Sequence, residues 1–137
     1  MIILNDMNII RHRPPEFVDI RGAIHKILDN IDIKSVLLIT SKAGSIRANH
    51  YHKKDSHYSY LLSGKAEYTE KPVEGGEIQM EVLGPGDMVF TSPMMIHAIK
   101  FLEDSEFFAF ATQTRSHEEY EADTVRVTLV SEDHSHA

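Results

Sequence analysis

The stretch GSIRANHYHKKDSHYSYLLSG, Gly44 to Gly64, decides how the rest of the chain reads. Its core is His50-Tyr51-His52. In a β-strand successive side chains point to opposite faces, so the two imidazoles share one face and Tyr51 takes the other. His57 follows the polar turn Lys53-Lys54-Asp55-Ser56, where the chain can bend back and return a third ring to the same pocket. His97, behind Ser92-Pro93-Met94-Met95-Ile96, offers a fourth from a separate segment. Neutral imidazole is a common metal ligand, and several converging rings with no cation between them would compete for too few partners. The spacing predicts one divalent metal ion on His50, His52, His57 and His97. The plainer alternative is four unrelated histidines in a chain that has nine.

Composition narrows the chemistry around that stretch. With 137 residues, 42% of them hydrophobic, the chain suits one globular domain, residues 1–137, that buries its own core. The absence of cysteine removes disulfides, thiolate ligands and a cysteine nucleophile, so a metal must sit on nitrogen and oxygen. A formal net charge of −7 argues against a nucleic-acid partner, whose phosphates call for clustered Lys and Arg. The first residues are apolar only in short pieces broken by Asn5, Asp6 and Asn8, unlike a secretory signal, and no window approaches the ~20 apolar residues that span a bilayer. The expectation is a cytoplasmic protein with no membrane partner.

Outward from the histidines the chain reads as short strands separated by turns. Pro14-Pro15 closes an N-terminal arm or edge strand over residues 1–15, because each proline removes a backbone donor. Within Asp19–Asp32, a turn at Asp19-Ile20-Arg21-Gly22 precedes Ile24, Ile27, Leu28 and Ile31, whose spacing predicts a turn or two of amphipathic helix. Ile33–Thr40 is a strand and Ser41–Gly44 a turn. His57–Ser63 is a strand with His57, Ser59 and Leu61 on one face, and Gly64 permits a tight hairpin into Lys65–Glu70. Glu74-Gly75-Gly76 is the next tip, with Glu77–Leu83 returning. Gly84-Pro85-Gly86-Asp87 fits a type II turn, with Pro at the second position and Gly at the third. Met88–Thr91, Met95–Phe101, Glu106–Gln113 and Val125–Val130 are further strands, and Phe101, Phe107, Phe108 and Phe110 pack the interior. Arg115–Asp123, with His117, reads as a solvated loop. Residues 131–137, with His134 and His136, read as a frayed tail, and His12 and His25 as surface or structural residues. This punctuation describes an all-β barrel or sandwich.

The spacing Gly44-x5-His50-x-His52-x4-His57-x6-Gly64, followed by Gly86-Asp87-x5-Pro93-x3-His97, resembles the two cupin motifs, which fall here at about 44–64 and 84–101. That resemblance implies a double-stranded β-helix, or jelly-roll barrel. Two positions depart from it: the family usually has Glu where this chain has His57, and Gly or Asn where it has Met94. Four neutral rings would offset none of a divalent ion's charge. Asp19-x-Arg21-Gly22 and the run Ser45-Ile46-Arg47-Ala48-Asn49-His50-Tyr51-His52-Lys53 are similar to the start of barrel segments in dTDP-4-dehydrorhamnose 3,5-epimerases and dTDP-4-oxo-sugar 3,4-ketoisomerases. Those enzymes carry an R-G-x-H strand, with Gly where this chain has Ala48. By that likeness His50 is a base that removes a proton beside a ketone, assisted by His52, without metal.

The two resemblances compete for His50, because a nitrogen bonded to a metal cannot also accept a proton. If metal is bound, the base comes from Tyr58, Tyr60, Glu67, Tyr68 or a hydroxide on the ion. Strand alternation sets Arg47 on the face opposite His50. The leading expectation is a cupin isomerase or epimerase for a carbohydrate-derived carbonyl substrate, anionic or sugar-derived, working through a metal-stabilised enediolate. The metal is Fe, Mn, Zn, Ni, Co or Cu. The alternatives are a metal-dependent dioxygenase, a metal-free nucleotide-sugar epimerase or ketoisomerase with His50 as base, and a non-catalytic metabolite-binding cupin. Ile2-Ile3-Leu4 and Ile9-Ile10 supply the strand through which a homodimer would form.

Overall fold

Alternation of more and less buried side chains along several of the long strands gives each sheet one face to pack against the other. The computed structural model describes residues 7–114 and 116–131. Its strands are β1 (Asn8–Ile10), β2 (Phe17–Asp19), β3 (Gly22–Ile24), β4 (Ser35–Ser41), β5 (Ile46–His52) and β6 (His57–Ser63). They continue with β7 (Ala66–Pro72), β8 (Gln79–Leu83), β9 (Met88–Thr91), β10 (Met95–Phe101) and β11 (Ser105–Ala111); helix α1 (His117–Asp123) and β12 (Thr124–Arg126) follow. One five-stranded sheet has the order β1-β9-β6-β11-β4, the other β12-β5-β10-β7-β8, and β2 with β3 forms a separate hairpin. The adjacent pairs are antiparallel. This is the jelly-roll barrel expected.

The core fills one end of the interior. On β11, Ser105, Phe107, Ala109 and Ala111 are buried while Glu106, Phe108 and Phe110 turn outward, a period of two that lets one face meet the opposite sheet. Phe107 stacks on Phe101 of β10 with ring centroids 5.6 Å apart, tying the sheets together. Leu61, Ala66, Tyr68, Leu83, Val89 and Ile99 complete the cluster. Phe108 and Phe110 stack on one another on the outer face at 5.9 Å. The expectation that they fill the barrel is corrected by that alternation.

Three local readings change in the tertiary structure. No helix forms within Asp19–Asp32: Ile24 pairs with Phe17 in the β2–β3 hairpin, and residues 25–34 carry no helix or strand. Ile24 and Ile31 stay exposed, and an amphipathic stripe becomes a helix only where it has something to bury against. The Arg13 guanidinium instead donates to the carbonyls of Lys26 and Ile27, at 3.1 and 3.3 Å. Gly64, at φ 95°, leads to a crossing rather than a hairpin, because β6 and β7 lie in different sheets. Residues 117–123, read as solvated loop, are a helix packed toward the histidines. Ile9 and Ile10 lie in β1, paired with β9 of the same chain. Ile2-Ile3-Leu4, Arg115, His134 and His136 lie outside the described residues.

Candidate active site

Beside the aromatic core, across Ile99 and Phe107, the four imidazoles meet. His50 and His52 come from β5 and His97 from β10, the strand beside it, where His97 stands directly opposite His50. His57 begins β6 in the facing sheet, so the polar turn at 53–56 is a crossing that sets one ring against three. Ring centroids are 4.6 Å apart for His50–His52, 4.8 Å for His50–His97, 5.1 Å for His57–His97 and 5.7 Å for His52–His57. All four residues are buried. They line a cavity of about 170 Å³ together with the apolar side chains of Ile39, Ile99, Phe107 and Ala109, the Ser59 hydroxyl, Arg47 and Tyr120.

Ring orientation is set from behind. The Nδ1 atom of His97 lies 3.0 Å from the Met95 carbonyl, and a carbonyl only accepts, so Nδ1 carries the proton and Nε2 the lone pair. Burial holds the pKa of His97 down to about 4, from a usual value of 6.5, and the ring is neutral at physiological pH. The Nδ1 of His52 is 3.2 Å from the Thr124 hydroxyl and 3.8 Å from an Asp123 carboxylate oxygen, both at the junction of α1 and β12. These contacts are of the kind that orient metal-bound or proton-accepting histidines.

Among the described residues two triads that share His52 have the spacing of a possible metal site: ligand nitrogens of His50, His52 and His97 lie within 4.8 Å of one another, and so do ligand atoms of His52, His57 and the Asp55 carboxylate. Two nitrogens on one ion at ~2.1 Å each can be at most ~4.2 Å apart, so either triad would need small ring movements to close on an ion.

Arg47 and Ala48 reveal a feature that alternation alone misses. His97 pairs with His50 but Ala98 with Ala48, leaving Asn49 as an extra bulged residue. Ala48 and Asn49 have φ of 72° and 56°. This left-handed pair explains why the resembled strand has Gly where Ala48 stands, since Gly meets no Cβ penalty there. The Asn49 side chain locks the bulge, donating to the Val130 carbonyl at 2.8 Å and accepting the N–H groups of Leu129 and Val130 at 2.9 Å. The bulge also reverses parity, so Arg47 pairs with inward-facing Ile99 and lines the histidine cavity. The expected outward placement of Arg47 is therefore corrected. Its guanidinium is held by Ser41 Oγ at 2.7 Å and the Thr40 carbonyl at 2.8 Å. Met94 is likewise left-handed, at φ 63°, which accounts for Gly or Asn in the resembled motif.

The tyrosines proposed as bases are elsewhere. Tyr58 and Tyr60 alternate with His57 and Ser59 and so face outward, Tyr58 against Phe90 at 4.8 Å and Tyr60 into a cavity with His12 and His25. Glu67 alternates with buried Ala66 and Tyr68 and faces away. Tyr68 is fully buried, its hydroxyl 2.8 Å from Glu70 Oε1 and 2.7 Å from Thr91 Oγ1. Burial, then the nearby Glu70 charge, hold its pKa well above 10.0, too high for a base at neutral pH. The tyrosine that does reach the site is Tyr120 of α1, with ring centroids 5.2 Å from His52 and 6.4 Å from His50. Only the segment's polarity was visible in sequence, and it concealed the helix.

A family model described as "Polysaccharide biosynthesis C-terminal domain" matches residues 17–125. No curated protein matches this chain in sequence. Among solved structures, a double mutant of the QdtA 3,4-ketoisomerase from Thermoanaerobacterium thermosaccharolyticum, in complex with TDP, is similar at 24% identity and TM-score 0.71, over 90% of this chain and 89% of that one. The dTDP-4-dehydrorhamnose 3,5-epimerase from Sulfolobus tokodaii is similar at 17% identity and TM-score 0.70, over 82% and 73%. The capsular polysaccharide assembling protein CapF from Staphylococcus aureus is similar at 20% identity and TM-score 0.66, over 72% of this chain and 27% of that one. Further structures hold TDP-4-keto-6-deoxyglucose in a QdtA mutant and the inhibitor 3-isopropenyl-tropolone in CapF. At these identities the likeness is one of fold.

Proposed function

This chain belongs to the polysaccharide biosynthesis C-terminal domain family, and from that premise we propose that it is an isomerase or epimerase for a nucleotide-linked keto sugar, acting in the histidine cavity. The observation that carries the reading is the convergence of four buried imidazoles, from both sheets, on a cavity that also holds one arginine and one tyrosine. Proton removal beside a ketone needs a site that stabilises negative charge on the carbonyl oxygen and a group that moves the proton. His50, His52 and His97, with His57 grouped beside them through His52, have the spacing to hold a divalent cation, which when bound would polarise that oxygen as a Lewis acid. Tyr120, over His50 and His52, is then the side chain placed to carry the proton. Arg47, fixed by Ser41 and Thr40, offers its charge to a phosphate of the nucleotide. The apolar side chains of Ile39, Ile99 and Phe107 exclude water from beside the sugar.

The similar ketoisomerase and epimerase folds, with the Arg47-Ala48-Asn49-His50 segment, support the alternative better than the metal reading: no metal binds, and His50 takes the proton. His52, backed by Thr124 and Asp123, assists. Proton exchange separates the two. The protein is incubated in D2O with dTDP-4-keto-6-deoxyglucose, after chelator treatment and again after adding Mn²⁺, Zn²⁺ or Co²⁺, and deuterium beside the ketone is followed by NMR. Exchange restored by metal supports the first reading, and equal exchange without metal supports His50 as base. Absence of exchange in every nucleotide-linked keto sugar overturns both, and oxygen uptake instead would point to dioxygenation. Self-association is supported by the apolar outer face of the first sheet, where Val36 and Leu38 are more than half exposed beside Phe108 and Phe110, and sedimentation velocity tests it.

A further inference from the structure

We propose that Asp55 is a fifth donor of the histidine centre and supplies its one anionic ligand. The inference rests on the reading that the histidines hold a cation. Sequence places Asp55 in a polar crossing, two residues before His57 and outside any strand. The structure buries it, with 3% of its surface exposed, and brings its carboxylate within 4.8 Å of the ligand nitrogens of both His52 and His57. That limit is the same one that gathers His50, His52 and His97, and His52 belongs to both groups.

The backbone around Asp55 is pinned so that the side chain keeps this place. Its N–H donates to Asp123 Oδ2 at 3.0 Å, the neighbouring Lys54 N–H donates to Asp123 Oδ1 at 2.8 Å, and its own Oδ1 accepts the Gln113 N–H at 3.2 Å. The Thr112 hydroxyl lies 3.4 Å from the same Oδ1. A divalent cation held by neutral imidazoles alone would have its full charge offset by no ligand. The Asp55 carboxylate among the ligands would leave a net charge of one rather than two. Carboxylate oxygen and imidazole nitrogen are compatible ligands for the same first-row divalent metals. Asp55 thus restores, from a different chain position, the negative ligand that His57 replaces in the resembled motif.

The test uses Co²⁺, whose visible absorption reports its ligands. Metal-free full-length protein and Asp55→Asn are titrated with Co²⁺ against a competing chelator, and circular-dichroism melting of the metal-free forms confirms that the variant folds. The expected result is one Co²⁺ per wild-type chain, at least tenfold weaker binding by Asp55→Asn and a changed absorption band. Equal affinity with an unchanged band overturns the role of Asp55 and leaves the histidine centre standing. Failure of the wild type to take up Co²⁺ removes the centre itself, and this inference with it. Should Asp55→Asn not fold, a wild-type crystal grown with Zn²⁺ decides: an Asp55 oxygen bonded to the ion sustains the assignment, and one beyond bonding distance ends it.

Discussion

The sharpest consequence of burying His97 is a dependence of stability on pH that one substitution should erase. His97 is 1% exposed, donates Nδ1–H to the Met95 carbonyl, and has its pKa held down to about 4 by burial. In the unfolded chain the same ring titrates near 6.5, so between these values the unfolded state binds the proton and the folded state does not. Stability is therefore complete above the unfolded pKa, falls as pH drops below it, and stops falling once pH is under the folded pKa. At pH 5 the loss from this ring is about 2 kcal/mol, part of the ~3.4 kcal/mol that separates protonating a free imidazole from protonating one with a pKa near 4. Urea unfolding of chelator-treated protein at pH 8 and pH 5 measures it, with His97→Asn as the reference. Asn keeps an N–H for the Met95 carbonyl and does not titrate, and the other histidines are common to both proteins. Wild type should lose about 2 kcal/mol more than His97→Asn over this interval. Equal losses would refute the argument, showing that water or a partner stabilises the charged ring in the folded chain.

Three further outcomes follow from particular contacts. Ala48→Gly should stabilise the protein by ~0.5–1 kcal/mol, because it relieves a Cβ at φ 72° and gives back only part of that in unfolded-chain entropy; a calorimetric midpoint that stays or falls would contradict the left-handed bulge. Tyr68→Phe removes the hydroxyl joining Glu70 to Thr91 and leaves a buried carboxyl poorly partnered, at a cost of ~1–3 kcal/mol. An unchanged urea midpoint would place that network outside the energetics of the fold. Arg47→Ala should raise KM for a nucleotide-linked substrate about tenfold with kcat little altered, as loss of uniform binding does. A fall in kcat at constant KM would instead assign Arg47 to the chemical step.

The alternation His50-Tyr51-His52, the position of His57 after a polar turn and the glycine and proline punctuation carried enough information to place four rings in a barrel, because strand parity is a local property of the backbone. Left-handed positions were also foreshadowed, as departures from a resembled pattern at Ala48 and Met94. What lay beyond local reading depended on which strand meets which. The β6–β7 connection crosses between sheets, and the Asn49 bulge, held by residues 129 and 130, turns Arg47 inward. Tyr58 and Tyr60 fell on the outer face by the same parity that set His57 inside. Tyr120 and Asp55 reach the centre because α1 folds back over the crossing and Asp123 binds it there. Each of these is a contact between segments distant in the chain, whose free energy exists only once the sheets have packed, so no window of neighbouring residues could have encoded it alone.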